Sequence, residues 1–469
     1  MPLNTSQQRA VEGCGVQLIL AGPGSGKTRI ITEKILHLIR EGVKPEQILA
    51  LTFSDKAATE MRDRLEQDID PSDLTIATFH SFCLQVLKDN ILDSGISLSS
   101  GHIDRANQLV WALRNIDTFG FEYLKIRNNA VEFIESIIDG ISSFRDELIT
   151  PDELEEYLKA KQRGQVNEEE EEYLRKLCDL LKVWKAYERY RRDEHLLDFD
   201  DMIAEASRIF DENALILKRY RTRYQCILVD EFQDTNYAQL YLIKQLASDD
   251  VCVVGDDDQS IYRFRGAYIT DFRDFRSHFP SEDIILEHNY RNSNNILRLA
   301  LQLMARAPNG EEKQLTTENP DGDRITVARC ENDQAEAEFV CNEVLKLIGT
   351  SVCSRADGQK TLLTYRDIAI LSRKRADGIK FNDILRTRGI QAEFVGDVDF
   401  FSEPIIRDLI AYLNVVENSL SAGISLARIM RASGVSELDV QRINTYAERL
   451  AWEDEAGDGV FESMLAAEE

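Results

Sequence analysis

A chain of 469 residues, 43% hydrophobic and 30% charged, has the composition of a globular protein with room for about three domains. No stretch approaches the roughly 18 consecutive apolar residues of a membrane span, and the opening MPLNTSQQRAV lacks the basic region and apolar core of a secretory signal. A cytoplasmic chain without membrane contact is expected, and the net charge of −27, from 83 acidic and 56 basic residues, confines any nucleic-acid binding to a local basic groove.

In chain order, the first strand candidate is VQLILAG (16–22), an apolar run without polar alternation, as in strands buried on both faces of a parallel sheet. A helix follows Lys27, with Ile31, Ile35, Leu38 and Ile39 on one face and Gly42 at its C-terminal cap. ILALTF (48–53) and LTIATF (74–79) repeat the strand pattern. The stretch from about 93 to 195 breaks it and reads as a helical insertion, with Asn167 capping a helix that opens on five glutamates (168–172). CILVDE (226–231) and VCVVGD (251–256) are further strands. A second strand–helix pattern covers about 281–415, with IILEHNY, RITVARC, DIAILSR and AEFVG as its strands. The end, 419–469, reads as helical and acidic. This alternation means an α/β fold. The eight cysteines are scattered without a CxxC pair, which predicts reduced core thiols rather than a zinc or iron–sulfur site.

Chemistry concentrates at three strand ends. AGPGSGKT supplies Ala21, Gly22, Pro23, Gly24, Ser25, Gly26, Lys27 and Thr28 between a strand and a helix, the setting of a phosphate-binding loop. Its first position is Ala21 where the pattern has glycine. Lys27 would reach the β- and γ-phosphates of ATP, and Thr28 would place its hydroxyl on Mg²⁺. CILVDEFQDTN (226–236) adds Asp230 as the second metal anchor and Glu231 as the group that orients or deprotonates water. VVGDDDQSIYRFRGA (253–267) joins carboxylates to interleaved aromatics and arginines, a mixture of phosphate-site and base-stacking chemistry.

These residues resemble the UvrD/Rep/PcrA-type DNA helicases of superfamily 1, with matches in order along nearly the whole chain. LNTSQQRAV (3–11) looks like the family's adenine-reading segment, AGPGSGKTR its phosphate loop, and TFSDKAATEMRDRL (52–65) and TFHSF (78–82) its strand-end DNA contacts. LDFDDM (197–202), DEFQDTN, GDDDQSIYRFRGA, LEHNYRNS (286–293) and SEPIIRDLIAYLNVV (402–416) complete the series. The resemblance implies a P-loop NTPase with RecA-like parallel-sheet motor domains carrying helical insertions. It places the first motor domain at 1–92 and 196–280, its insertion at 93–195, the second motor domain at 281–418 and a further insertion from 419 to 469.

Residue roles follow from the same resemblance. Gln7 would read adenine, with Tyr290 stacked on the base and Arg29 beside it. Gln259 would sense the γ-phosphate, and Arg291 would act as an arginine finger. Thr52, Phe53, Lys56, Thr78, His80, Tyr262, Phe264 and Arg265 would contact DNA. The activity implied is ATP-dependent 3′→5′ movement along single-stranded DNA with duplex unwinding, and the implied partners are single strands and single–double-strand junctions.

Two substitutions and one absence depart from the family pattern. Phe264 stands where tryptophan is usual, and His288 where glutamine is usual. The family's final motifs, a histidine before a Lys–Gly pair and a later Thr–Arg–Ala, are missing; the last histidine is His288 and the last lysine Lys380. The expectation is therefore a truncated chain, with a partner chain supplying the missing motifs. Three other readings remain open here: a nucleotide- and DNA-binding regulator without unwinding activity, part of a RecB-type helicase–nuclease, and a P-loop ATPase acting on protein.

Overall fold

The computed structural model describes residues 2–91, 101–125, 130–163, 167–199, 201–248, 250–260, 272–306, 313–353, 360–394 and scattered positions between 405 and 435. The chain divides into two units, Met1–Ile325 and Thr326–Glu469.

The first unit is built on a six-stranded sheet of order β3-β2-β6-β7-β1-β8, formed by β1 (Val16–Ala21), β2 (Ile48–Thr52), β3 (Thr75–Thr78), β6 (Cys226–Val229), β7 (Asp250–Gly255) and β8 (Glu282–Leu286). Every neighbouring pair is parallel. The apolar runs have the composition they do because both faces are covered. Leu18, Leu20, Leu49, Leu51, Val229 and Val253 pack on one face against the helices Phe79–Asp89, Asp201–Glu212 and Tyr237–Leu246. Ile19, Ala21, Ile48, Ala50, Leu228 and Val254 pack on the other, against α1 (Thr5–Glu12), α2 (Lys27–Arg40) and α3 (Asp55–Leu65). Four cysteines, Cys83, Cys226, Cys252 and Cys341, lie buried as free thiols.

Local signals act as their chemistry requires. Helix α2 ends in a Schellman motif, where Val43 N–H donates to Leu38 O and Gly42 N–H to Ile39 O, with Gly42 at φ 99°. Asn167 caps the helix Glu168–Asp193 by accepting from the Glu170 N–H at 2.8 Å. That helix and the helices Ala130–Asp146 and Pro151–Gln162 share a separate core around Ile134, Ile141, Leu158, Leu177 and Trp184. A short parallel pair, β4 (Gly101–Ile103) with β5 (Leu196–Asp198), closes this helical region.

The structure corrects the reading of IILEHNY as the first strand of a second sheet. That segment is β8, the edge strand of the first sheet, in register with β1 from Gln17↔Glu282 to Ala21↔Leu286. Edge position explains its pattern, since Ile284 and Leu286 are buried while Ile285 is exposed. RITVARC and DIAILSR carry no assigned strand, and Val327 and Leu371 are 90% and 94% exposed. Ladder hydrogen bonds need a neighbouring strand, and only Ser351–Cys353 and Lys360–Leu362 pair among the described residues of the second unit. There the helices Asp333–Leu347 and Arg375–Thr387 enclose a small core of Cys341, Val344, Leu385 and Ile390. The described part of AEFVG, 392–394, carries no assigned strand; SEPIIRDLIAYLNVV falls largely outside the described residues, and 436–469 entirely so.

Candidate active site

The candidate site residues that the structure describes lie in the first unit, most of them at or near the carboxyl ends of its parallel strands, where such sheets place their ligands. β1 runs into the glycine loop. Gly24 and Gly26 take φ values of 67° and 90°, and Gly26 forms the left-handed N-cap from which α2 starts. A Cβ on Gly24 would lie 2.6 Å from the Cβ of Arg291, so the loop and the segment after β8 approach within side-chain contact. A glycine loop at the start of a helix presents backbone N–H groups and the positive end of the helix dipole, as a phosphate site requires.

Lys27 Nζ lies 2.7 Å from Glu231 Oε2. Glu231 follows β6 in a left-handed conformation (φ 51°, ψ 45°), a costly geometry for a side chain other than glycine, and such strain concentrates at functional sites. Beside it, Asp230 is buried, with the Thr28 hydroxyl near enough to favour its charged form. Burial, reinforced by the charge of Glu231, pushes the Asp230 carboxyl up to about 6 against the pull of Lys27 and Thr28. Two carboxylates facing one ammonium, with a hydroxyl at hand, form an oxygen donor set that an added hard cation would balance.

The adenine-side candidates also converge. Gln7, 1% exposed, donates from Nε2 to Ser25 O at 3.0 Å, which anchors α1 to the glycine loop. Tyr290 OH donates to Gln7 Oε1 at 3.4 Å and accepts from Asn4 Nδ2 at 2.9 Å. Tyr290 N–H donates to Gly24 O, and Asn289 Nδ2 to Pro23 O at 2.6 Å. Arg29, on the first turn of α2, lies 3.7 Å from Glu33.

β7 stands between β1 and β6, so its terminal turn lies between the ends of both strands. Gln259 donates to Asp256 Oδ2 at 2.6 Å, and Asp256 N–H donates to Gln233 Oε1 at 2.8 Å. Gln233 Nε2 in turn donates to Glu231 Oε2 at 2.7 Å. The individual role of Gln233 was not legible in DEFQDTN; its link to Asp256 appears only once β6 and β7 are paired.

The DNA candidates on β2 and β3 sit at the same carboxyl end, toward the β3 edge of the sheet. Thr52 and Thr78 are cross-strand partners at the ends of β2 and β3. Thr78 caps the helix Phe79–Asp89, and Thr52 Oγ1 donates to Ser54 O at 3.0 Å. Phe53 and His80 are half-buried and Lys56 is exposed. His80 stacks on Phe199 with ring centroids 4.0 Å apart, and Phe199 is 55% exposed. Phe199 lies in the LDFDDM segment but gave no signal of its own there. Tyr262, Phe264 and Arg265 lie outside the described residues.

A family model for the UvrD/REP helicase N-terminal domain matches residues 3–280. The chain belongs to the UvrD/REP helicase family. A second model, for the UvrD-like helicase C-terminal domain, matches residues 284–451. With that match the family likeness runs through residue 451, so both family regions are represented in the chain. The chain is 37% identical over 459 residues, 95% of its length, to the ATP-dependent DNA helicase PcrA of Bacillus subtilis. It is 34% identical over 459 residues to the proteins of that name from Staphylococcus epidermidis and Staphylococcus aureus. It spans 57% to 58% of the length of these relatives. Among the described residues no helix is long and apolar enough to cross a membrane.

Proposed function

We propose that this chain is an ATP-driven motor that moves 3′→5′ along single-stranded DNA and unwinds duplexes at single–double-strand junctions. The observation that carries the reading is the contact of Lys27 with a strained Glu231, beside buried Asp230 and Thr28, at the mouth of the glycine loop. Family membership and the helicase names of the relatives support the class of activity, and the polarity rests on the family resemblance.

Chemistry follows from exchanging partners at this site. The Lys27 ammonium, held by Glu231 without nucleotide, would transfer to the β- and γ-phosphates of ATP. Glu231 would then be free to orient and deprotonate the attacking water, a role worth about 10²–10⁴ in rate. Mg²⁺, for which the Thr28 hydroxyl and the Asp230 carboxylate are suitable ligands, would neutralise charge on the phosphate oxygens. Gln7 and Tyr290 would hold the adenine, with Arg29 beside it. Gln259 would contact the γ-phosphate, and Arg291 would stabilise its transition-state charge.

On the DNA side, Thr52, Thr78 and Lys56 would grip the backbone, while Phe53, His80, Tyr262, Phe264 and Arg265 would face the bases. Stacked bases contribute roughly 1–3 kcal/mol each without reading sequence. Single-turnover unwinding of 3′- and 5′-tailed duplexes tests the proposal. The 3′-tailed duplex is expected to open and the 5′-tailed one to stay closed. Preference for the 5′ tail would overturn the polarity, and failure on both would overturn the helicase activity.

A further inference from the structure

Asp256, Asp257 and Asp258 bring ligand oxygens within 4.8 Å of one another at the end of β7. Three carboxylates this close, with Asp256 fully buried, repel strongly unless a cation stands among them. That cation is part of the chain. Lys313 Nζ lies 2.6 Å from Asp256 Oδ1 and 3.3 Å from Asp258 Oδ2, and it pairs with Asp257 as well. Its side chain is 2% exposed. An ammonium has three donors and no acceptor, so three carboxylates saturate it. Burial pulls the Lys313 pKa down, but Asp256 and Asp257 outweigh that pull and raise it.

The lysine is carried by a strap, residues 313–319, that crosses the whole nucleotide site. Leu315 covers the glycine loop so closely that a Cβ on Gly22 would lie 2.5 Å from its Cδ2. Thr316 exchanges backbone bonds with the segment after β8, donating to Glu287 O and accepting from the Asn289 N–H. Asn319 Nδ2 donates to Asn292 O at 2.8 Å and Tyr290 O at 3.2 Å, on either side of Arg291. On its other side, the Asp256 turn is joined through Gln233 to Glu231. A Cβ on Gly255 would lie 2.7 Å from Gln233 Oε1, so the close seat of the turn on Gln233 depends on a glycine there.

We propose that Lys313 is a positioning residue for ATP hydrolysis, a tethered counter-cation that holds the Asp256 turn in place and so aligns Gln259 and, through Gln233, Glu231. This rests on the ATPase reading of the site. The lysine touches none of the reacting groups; it takes the place that a second divalent ion would otherwise fill.

The test compares the full chain with its Lys313→Gln, Lys313→Arg and Lys313→Gln/Asp257→Asn variants, each checked by thermal melting. Wild-type hydrolysis of ATP with single-stranded DNA comes first, because its absence would defeat the functional reading rather than this one. Lys313→Gln is expected to lower kcat by at least about tenfold with KM for ATP little changed, within the roughly 10²-fold that a 1 Å misplacement costs. Lys313→Arg is expected to recover most of that loss. Without nucleotide, calorimetric titration with Mn²⁺ alone should find one more bound ion in Lys313→Gln than in wild type, and that ion should vanish in the double variant. This second readout does not depend on catalysis. Unchanged kcat together with no additional Mn²⁺ would overturn the proposal. If Lys313→Gln fails to fold, Lys313→Arg decides: retained kcat supports a role for the charge, and a collapse of kcat in a folded protein overturns it.

Discussion

Two clusters of buried charge in the first unit are built to different rules. In the helical region, Arg145 and Arg191 face Glu188, Asp198 and Asp201, with contacts of 2.5 to 3.3 Å. Tyr187 OH adds a bond to Asp198 at 2.9 Å and Trp184 Nε1 one to Glu188 at 3.3 Å. Arg145 bridges all three carboxylates and Arg191 bridges Glu188 and Asp201, which ties the helices Ala130–Asp146 and Glu168–Asp193 to β5 and the helix Asp201–Glu212. At the glycine loop, one ammonium faces Glu231 and Asp230, and the backbone at Glu231 is strained. The first arrangement links four elements through two shared guanidiniums, which suits a structural joint. The second leaves charge and strain for a ligand to relieve, which suits catalysis.

Substitutions in the two clusters should therefore fail in different ways. Arg291→Ala is expected to cut ATP hydrolysis by about 10³–10⁵-fold with the melting temperature preserved, as steady-state kinetics beside calorimetry would register. Arg145→Ala should do the reverse. Removing the one guanidinium paired with buried Asp198 costs about 3–5 kcal/mol, visible in denaturant unfolding, while kcat per folded molecule changes little. A large, specific loss of kcat in folded Arg145→Ala would erase the distinction between the clusters.

Acidity sharpens the comparison. Burial pushes Asp201 up to about 7, against the pull of Arg145 and Arg191. A carboxyl whose folded pKa exceeds its unfolded value stabilises the fold while protonated and loses that contribution as pH rises through the folded value. Asp201→Asn mimics the protonated form. Wild type should therefore lose stability relative to Asp201→Asn as pH rises from about 4 to 7, measured as the difference between their unfolding free energies. A constant difference across that range would show that Asp201 stays ionised throughout. The smallest effect is expected at the edge of the same region, where Asn167→Ala removes a helix cap and should cost about 1 kcal/mol.

Much of this was legible in the sequence wherever the signal is local. VQLILAGPGSGKT shows β1 and its loop because a strand buried on both faces must be continuously apolar, and a phosphate loop needs glycines with positive φ. Asn167 and the glutamates after it show a helix start because capping and the dipole act within one turn. What stayed hidden depends on distant pairing. β8 reads as the start of something new because nothing within IILEHNY says which strand it will join. Lys313 lies 57 residues from Asp256, and a lysine before QLTTEN carries no local mark of burial among carboxylates. The aspartates of GDDDQ point to a cation without saying that the chain supplies it.

The central claim is that the Lys27–Glu231 pair forms a DNA-responsive ATPase site. Steady-state ATP hydrolysis by the purified chain, with and without single-stranded oligonucleotide, tests it most directly alongside Glu231→Gln. Strong stimulation by the oligonucleotide is expected, falling by about 10²–10⁴-fold in a normally folded Glu231→Gln variant. Hydrolysis indifferent to DNA, or undiminished in Glu231→Gln, would contradict the account.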